Sequence, residues 1–265
     1  MTIPVSTVDY LNVSIHGYAC EVFVNRAPIL RTPVDAPYTA IPSVSEWLVG
    51  GDNEIAVRID AIAPPAATAD PLSPRRLIVQ RCVGPLGEIV PAGEDQPIDG
   101  LTYAPAPDDP TPTLPLRIAY EFRLPQGPTW AWQTAARLSL DAATTAELLM
   151  FLDALHADLV FGDIPGLLSR QRIKFAELAP LYGMTPASAR AGLLQQFTEL
   201  SKDGAWTVEP LRPDDVVLHL CCDGRVVEPR TRDDRPVLRG QAADGNAWSL
   251  PVFISRVDGM FEVVR

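Results

Sequence analysis

Near Pro128 the chain changes its sequence pattern, and that change limits the folds open to it. Before it, short alternating apolar runs are broken by prolines; after it come three long helical patterns and then a run of strands. Nineteen of the 27 prolines precede residue 130, where they mark loops and sheet edges because proline cannot donate to a ladder. The pattern predicts an all-β sandwich over 1–124, a Pro- and Trp-containing linker over 125–138, and an α+β domain over 139–265. At 265 residues each half is long enough to bury its own core.

The net charge of −11 excludes some partners. Up to residue 130 there are 8 basic and 15 acidic residues, and after it 14 and 18. Neither half offers the basic field that neutralises nucleic-acid phosphates or an anionic membrane, so neither is expected as a partner. No apolar run is long enough to span a bilayer, and the segment Met1–Tyr10 has no signal-peptide character, so a cytoplasmic location is expected. The four cysteines include no metal-type CxxC and are expected to be reduced packing residues.

In the first half, Val8–Ile15, Glu21–Val24, Ala27–Leu30, Glu54–Asp60, Leu77–Val83 and Leu116–Arg123 read as strands, and 91–115 as a long loop. Ile55, Val57 and Ile59 give the cleanest period-2 pattern. Asn25-Arg26 and Gly50-Gly51-Asp52-Asn53 are turn signals. The strings Cys20-Glu-Val-Phe-Val-Asn25 and Trp47-Leu-Val-Gly-Gly-Asp-Asn-Glu-Ile-Ala-Val57 resemble the jelly-roll of galactose-binding-like domains. The resemblance covers about 8–62 and implies a sandwich, with carbohydrate binding as one use of it. Tyr18, Tyr38 and Trp47 are the aromatic candidates for a sugar shelf, and a core role for Trp47 is the plainer reading.

Trp130 and Trp132 are too apolar to leave in water and are expected to pack at the domain junction, fixing the halves together. A helix then starts near Asp141 or Thr144, with Thr144 and Glu147 in capping-box spacing and Leu148, Phe151, Leu152, Leu155 and Leu159 as its stripe. Asp163 reads as the cap of a second helical segment with Pro165 in its first turn, continuing through Lys174–Leu181. Thr185-Pro186 opens a third helix with Leu193, Leu194, Phe197 and Leu200 inward, and Asp203-Gly204 stops it. Strands follow at 205–211, 215–222, 225–229, 236–239, 248–255 and 260–264.

This order resembles the cystatin-like architecture of the nuclear-transport-factor-2-like superfamily. The resemblance rests on Phe253-Ile-Ser-Arg-Val-Asp-Gly-Met-Phe-Glu-Val-Val-Arg265 and on Leu155-His-Ala-Asp-Leu-Val-Phe-Gly-Asp163. It implies three helices packed on a curved antiparallel sheet, with a pocket between them where enzymatic relatives place an Asp–His dyad. One departure is the lack of a strand between the helices.

Candidate chemistry is sparse. Val217, His219 and Cys221 share one face of the 215–222 strand, so His219 is the candidate general base, with Asp163 or Asp158 to orient it. Val217, His219 and Cys221 are also the candidates for ligand contact, although a sheet histidine is the ordinary reading. Only His16, His156 and His219 exist, at spacings that suit no metal site, so neither metal nor cofactor is expected. No phosphate loop or nucleophile motif is present. The pairs Asp108-Asp109, Asp214-Asp215 and Asp233-Asp234 read as solvated turns. The expectation is a non-catalytic binding protein that recognises a protein partner, in an immunity- or adaptor-type role, or a small apolar ligand. The alternatives are an isomerase or hydrolase using His219 and a carbohydrate-binding module.

Overall fold

Alternation of apolar and polar side chains builds the first eight strands of the chain. In the computed structural model, residues 7–33, 37–62, 75–86, 99–106, 109, 112–200, 206–242 and 244–265 are described. The chain is β-rich, with four antiparallel sheets and five helices among these residues, in two compact units, Met1–Thr129 and Trp130–Arg265. No described helix is long and apolar enough to cross a membrane.

The first unit holds β1 (Thr7–His16), β2 (Tyr18–Val24), β3 (Ala27–Thr32), β4 (Tyr38–Ala40), β5 (Gly51–Ile62), β6 (Arg76–Pro85), β7 (Gly100–Tyr103) and β8 (Leu116–Leu124). They form two four-stranded sheets, ordered β4-β1-β6-β7 and β3-β2-β5-β8, an arrangement compatible with a β-sandwich. One face of each sheet is dry. Leu11, Val13, Ile15, Leu77 and Val79 are buried in one, and Val22, Val24, Ile55, Val57 and Ile59 in the other. Arg81 of β6 links the sheets: its guanidinium pairs with Asp9 and Asp99 and lies 5.1 Å from the Phe122 ring centroid on β8. Asp99 also accepts from Tyr120 Oη at 2.9 Å.

Sequence reading finds the long strands and misses β4 and β7, which are too short to show a period. β7 falls inside the stretch read as a loop, of which residues 91–98, 107, 108, 110 and 111 lie outside the described residues. The Ser45–Trp47 segment is a 3₁₀ turn, with Trp47 buried.

Two asparagines clamp the turns of the second sheet. Asn25 and Arg26 both have positive φ, the geometry a two-residue hairpin turn needs. Asn25 Nδ2 donates to Trp47 O at 2.7 Å and to Asn53 Oδ1 at 2.8 Å, while its Oδ1 accepts from Glu54 N at 2.9 Å. Buried Asn53 accepts from Val49 N and donates to Val49 O and Gly51 O. Asn53→Ala strips partners from a buried amide and a backbone N–H, so chemical denaturation should show a loss of roughly 2–3 kcal/mol.

Tyr18 is buried with its hydroxyl unpartnered among the described residues, and burial pushes its pKa up to about 12 from 10.0. Between these values the unfolded chain loses the proton while the fold retains it, so stability falls as pH rises through that window. Tyr18→Phe should leave stability at pH about 7 unchanged or higher, because no hydrogen bond is lost, and should shrink the alkaline loss seen in denaturant melts.

In the second unit, α1 (Ala131–Thr134), α2 (Ala142–Phe161), α3 (Ile164–Ser169), α4 (Arg172–Leu181) and α5 (Pro186–Leu200) precede the strands. The strands are β9 (Thr207–Val208), β10 (Val216–Cys221), β11 (Val226–Thr231), β12 (Arg239–Gln241), β13 (Ala247–Ser249), β14 (Ile254–Val257) and β15 (Met260–Val263). They divide into sheets ordered β10-β11-β14-β15 and β13-β12-β9, not the single curved sheet expected. One core joins both layers: leucines of α2 and α3, Phe175 and Phe197 pack with Val227, Ile254 and Val263.

Local signals explain the helix ends. Asp141, not Thr144, caps α2, accepting from Thr144 N at 2.8 Å, and Gly162 ends it in the left-handed region at φ 69°. Asp163 caps α3 as expected. In α5 Phe197 is buried but Leu194 is 41% exposed, so its inward face is narrower than the leucine spacing implied. Asp203-Gly204, read as the stop of α5, lies outside the described residues. On the small sheet, Trp206 and Trp248 stack at 4.8 Å with Phe197 edge-on to both. A Cβ on Gly240 would collide with Thr207 O and Trp248, so only glycine fits between them.

Candidate functional site

The residues that sequence reading put forward are placed by their strands and caps. On β10, Val216 and Leu218 pack against the helical core, so Val217 and His219 face away from it, and His219 is exposed. Cys221 is buried, its thiol donating to Val226 O at 3.4 Å. The carboxylate of exposed Asp163 accepts from Gly166 N at 3.0 Å and is committed to the start of α3. Asp158 is held by Arg170 at 2.9 Å.

The second unit has a cleft of about 240 Å³ beside these elements, but His219, Cys221 and Val217 do not line it. Its walls are charged: Glu209, Arg212, Asp215, Arg235 and Arg239, with Val216 and Val237 as apolar patches. Arg239 is bound internally by Glu209 at 2.7 Å and by Pro236 O at 3.0 Å. Arg235 pairs with Asp233, whose pKa is lowered chiefly by the Thr231 hydroxyl. A wall lined mainly by charged side chains does not suit a small apolar ligand. Among the described residues no group of three His, Cys, Asp or Glu could hold a metal, and all four cysteines are free.

Trp130 and Trp132 are both buried, and the second unit begins at Trp130. The Arg265 guanidinium lies 4.5 Å from the Trp130 ring centroid and pairs with Glu177 at 2.6 Å. The other Glu177 oxygen accepts from Ala131 N at 2.5 Å. Trp130 therefore closes the second unit's own structure.

The sequence reading missed the far side of α2. Leu148, Leu152, Leu155 and Leu159 are all fully buried and fix the helix on the core. At 100° per residue, the opposite side carries Ala143, Ala146, Met150, Ala154, Ala157 and Phe161. Met150 is 65% exposed and Phe161 83%. A helix apolar all round is normally covered on all sides; this one is fully buried along its leucines, half-buried at Ala154 and Ala157, and open at Met150 and Phe161. No Lys or Arg occurs in its 20 residues. Along the bare stripe stand Glu147, which pairs with Arg256, and exposed Asp153, which has no ion pair among the described residues. Asp141 and Asp163 mark its ends, and the hydrogen bond from Thr144 N lowers the Asp141 pKa, keeping it ionised.

No family of known proteins matches the chain, and no curated protein or solved structure is similar to it.

The two sides of α2 should respond oppositely to mutation. Leu152→Ala leaves a core cavity and should cost about 2–5 kcal/mol in denaturant melts. Phe161→Ser loses almost no packing and should change stability by less than about 0.5 kcal/mol.

Proposed function

We propose that this is a non-catalytic binding protein that recognises a protein partner through the bare face of α2. The observation that carries the reading is Met150 and Phe161 standing exposed on a helix whose other side is fully buried. The partner implied has an apolar hollow for these two side chains and a basic rim for Asp153, Asp141 and Asp163. The charge of −11 would speed its approach, as when an acidic immunity-type protein masks a basic target. We infer also that the first unit is a jelly-roll-like scaffold, supported by its two sheets with dry faces. The second is read as cystatin-like, supported by helices sharing one core with an antiparallel sheet. A cytoplasmic setting is part of the same reading.

An enzyme based on His219 has less support, since that side chain is exposed and Asp163 is engaged elsewhere. Sugar binding on the first unit has lost two shelf candidates, because Tyr18 and Trp47 are buried.

The test is quantitative capture from native cells, followed by binding of the purified partner. Wild type should retain a protein with a basic surface, in a complex that weakens as salt rises. Met150→Glu with Phe161→Glu should weaken it by about 100-fold while the melting temperature is unchanged. Equal affinity for wild type and double variant would overturn the reading.

A further inference from the structure

Strand edges invite other strands, and proteins blunt them with charge, proline, brevity or cover. Most described edges here are blunted. β8 carries Arg117, Glu121 and Arg123; β3 carries Pro28 and Arg31. β4, β7, β9 and β13 have four residues or fewer. β15 is covered where Val263 N donates to Arg170 O at 3.1 Å. β10 has none of these devices: six residues, Val-Val-Leu-His-Leu-Cys, at the end of its sheet, without charge or proline.

The ladder register identifies which backbone groups face outward. β10 pairs Leu218 with Pro229 and His219 with Glu228, and Arg232 N donates to Asp215 O at 3.1 Å in the continuing register. Because bonded pairs alternate, Val217, His219 and Cys221 turn their N–H and C=O toward β11. Val216, Leu218 and Leu220 therefore point theirs outward. The Val216 N–H is taken by Pro213 O in the 3₁₀ turn Pro213–Asp215, while the Val216 C=O and both groups of Leu218 and Leu220 have no backbone partner in another described element.

We propose that β10 pairs antiparallel with β10 of a second copy of this chain, joining two four-stranded sheets into one. A two-fold axis through Leu218 sets Leu218 opposite itself and Val216 opposite Leu220 of the second copy. The two Leu218 residues then exchange two bonds and each Leu220 N–H reaches Val216 C=O of the other copy, giving about four N–H···O=C bonds, since Val216 N–H stays with Pro213 O. The same register puts Val216, Leu218 and Leu220 of both copies on one face as an apolar row, and Val217 beside His219 on the other. No like charges meet within the paired strands. Leu220, 43% exposed in the single chain, becomes covered. A single strand pair buries less than the about 1,200 Å² of a standard interface, so a dimer of roughly micromolar Kd is expected.

Sedimentation velocity on the full chain, diluted from about 100 µM to about 1 µM, tests this. Wild type should be a dimer that dissociates on dilution. Leu218→Pro deletes an outward donor together with a side chain that packs on the core, and Leu220→Lys adds edge charge. Each should raise Kd by about tenfold or more, while Phe161→Ser dimerises like wild type. If Leu218→Pro loses its circular dichroism spectrum, Leu220→Lys alone decides. A wild type monomeric throughout, a dimer indifferent to Leu220→Lys, or one lost only in Phe161→Ser would overturn the proposal.

Discussion

The second unit depends on one row of four leucines along α2. Leu148, Leu152, Leu155 and Leu159 are each fully buried, and the strands and remaining helices supply apolar partners to that row. A helix needs only one such stripe to hold its place in a fold. α2 has an apolar face to spare, and stability does not account for it. A selection for solubility alone would have placed Lys, Glu or Gln at Met150 and Phe161. The surplus apolar surface is therefore the feature on which the proposed recognition rests.

A second constraint fixes where the unit starts. Glu177 on α4 holds the first turn of α1 with one oxygen and Arg265 with the other, and Arg265 covers Trp130. One carboxylate thus ties the residues on either side of the helices together. Its charge is matched by a guanidinium that is itself almost inaccessible, which makes the arrangement costly to break at either partner. Spacing reveals that the two tryptophans flanking Ala131 are apolar but not which neighbours cover them; for Trp130 one of these is Arg265.

Legibility in the sequence followed the range of the interaction. β5, β6 and β8 were readable because period-2 alternation is a local property, and Asp163 was readable as a cap because its partner is three residues away. The start of α2 stays open in the sequence between Asp141 and Thr144 because two oxygen-bearing residues compete within one turn, and backbone geometry decides for Asp141. β4 and β7 exist through pairing with β1 and β6, which no local pattern records. The face of β10 that carries His219 depended on which side the helices cover, again a tertiary fact. The bare side of α2 had a usable signal: alanines with Met150 and Phe161 at spacings of four, seven and eleven, and no lysine or arginine. Counting only the leucine stripe passes over it.

The β1–β6 ladder also sets the order in which the first unit can assemble. It pairs Thr7 with Pro85 and His16 with Arg76, so every rung closes a loop of roughly sixty residues or more. The β2–β3 hairpin, by contrast, closes on the two residues Asn25 and Arg26. Early folding therefore belongs to that hairpin; β1 can pair with β4 once residue 40 is made, but its full-length ladder waits until β6 has been synthesised. During synthesis, β1 thus gains a short neighbour early and its long one late.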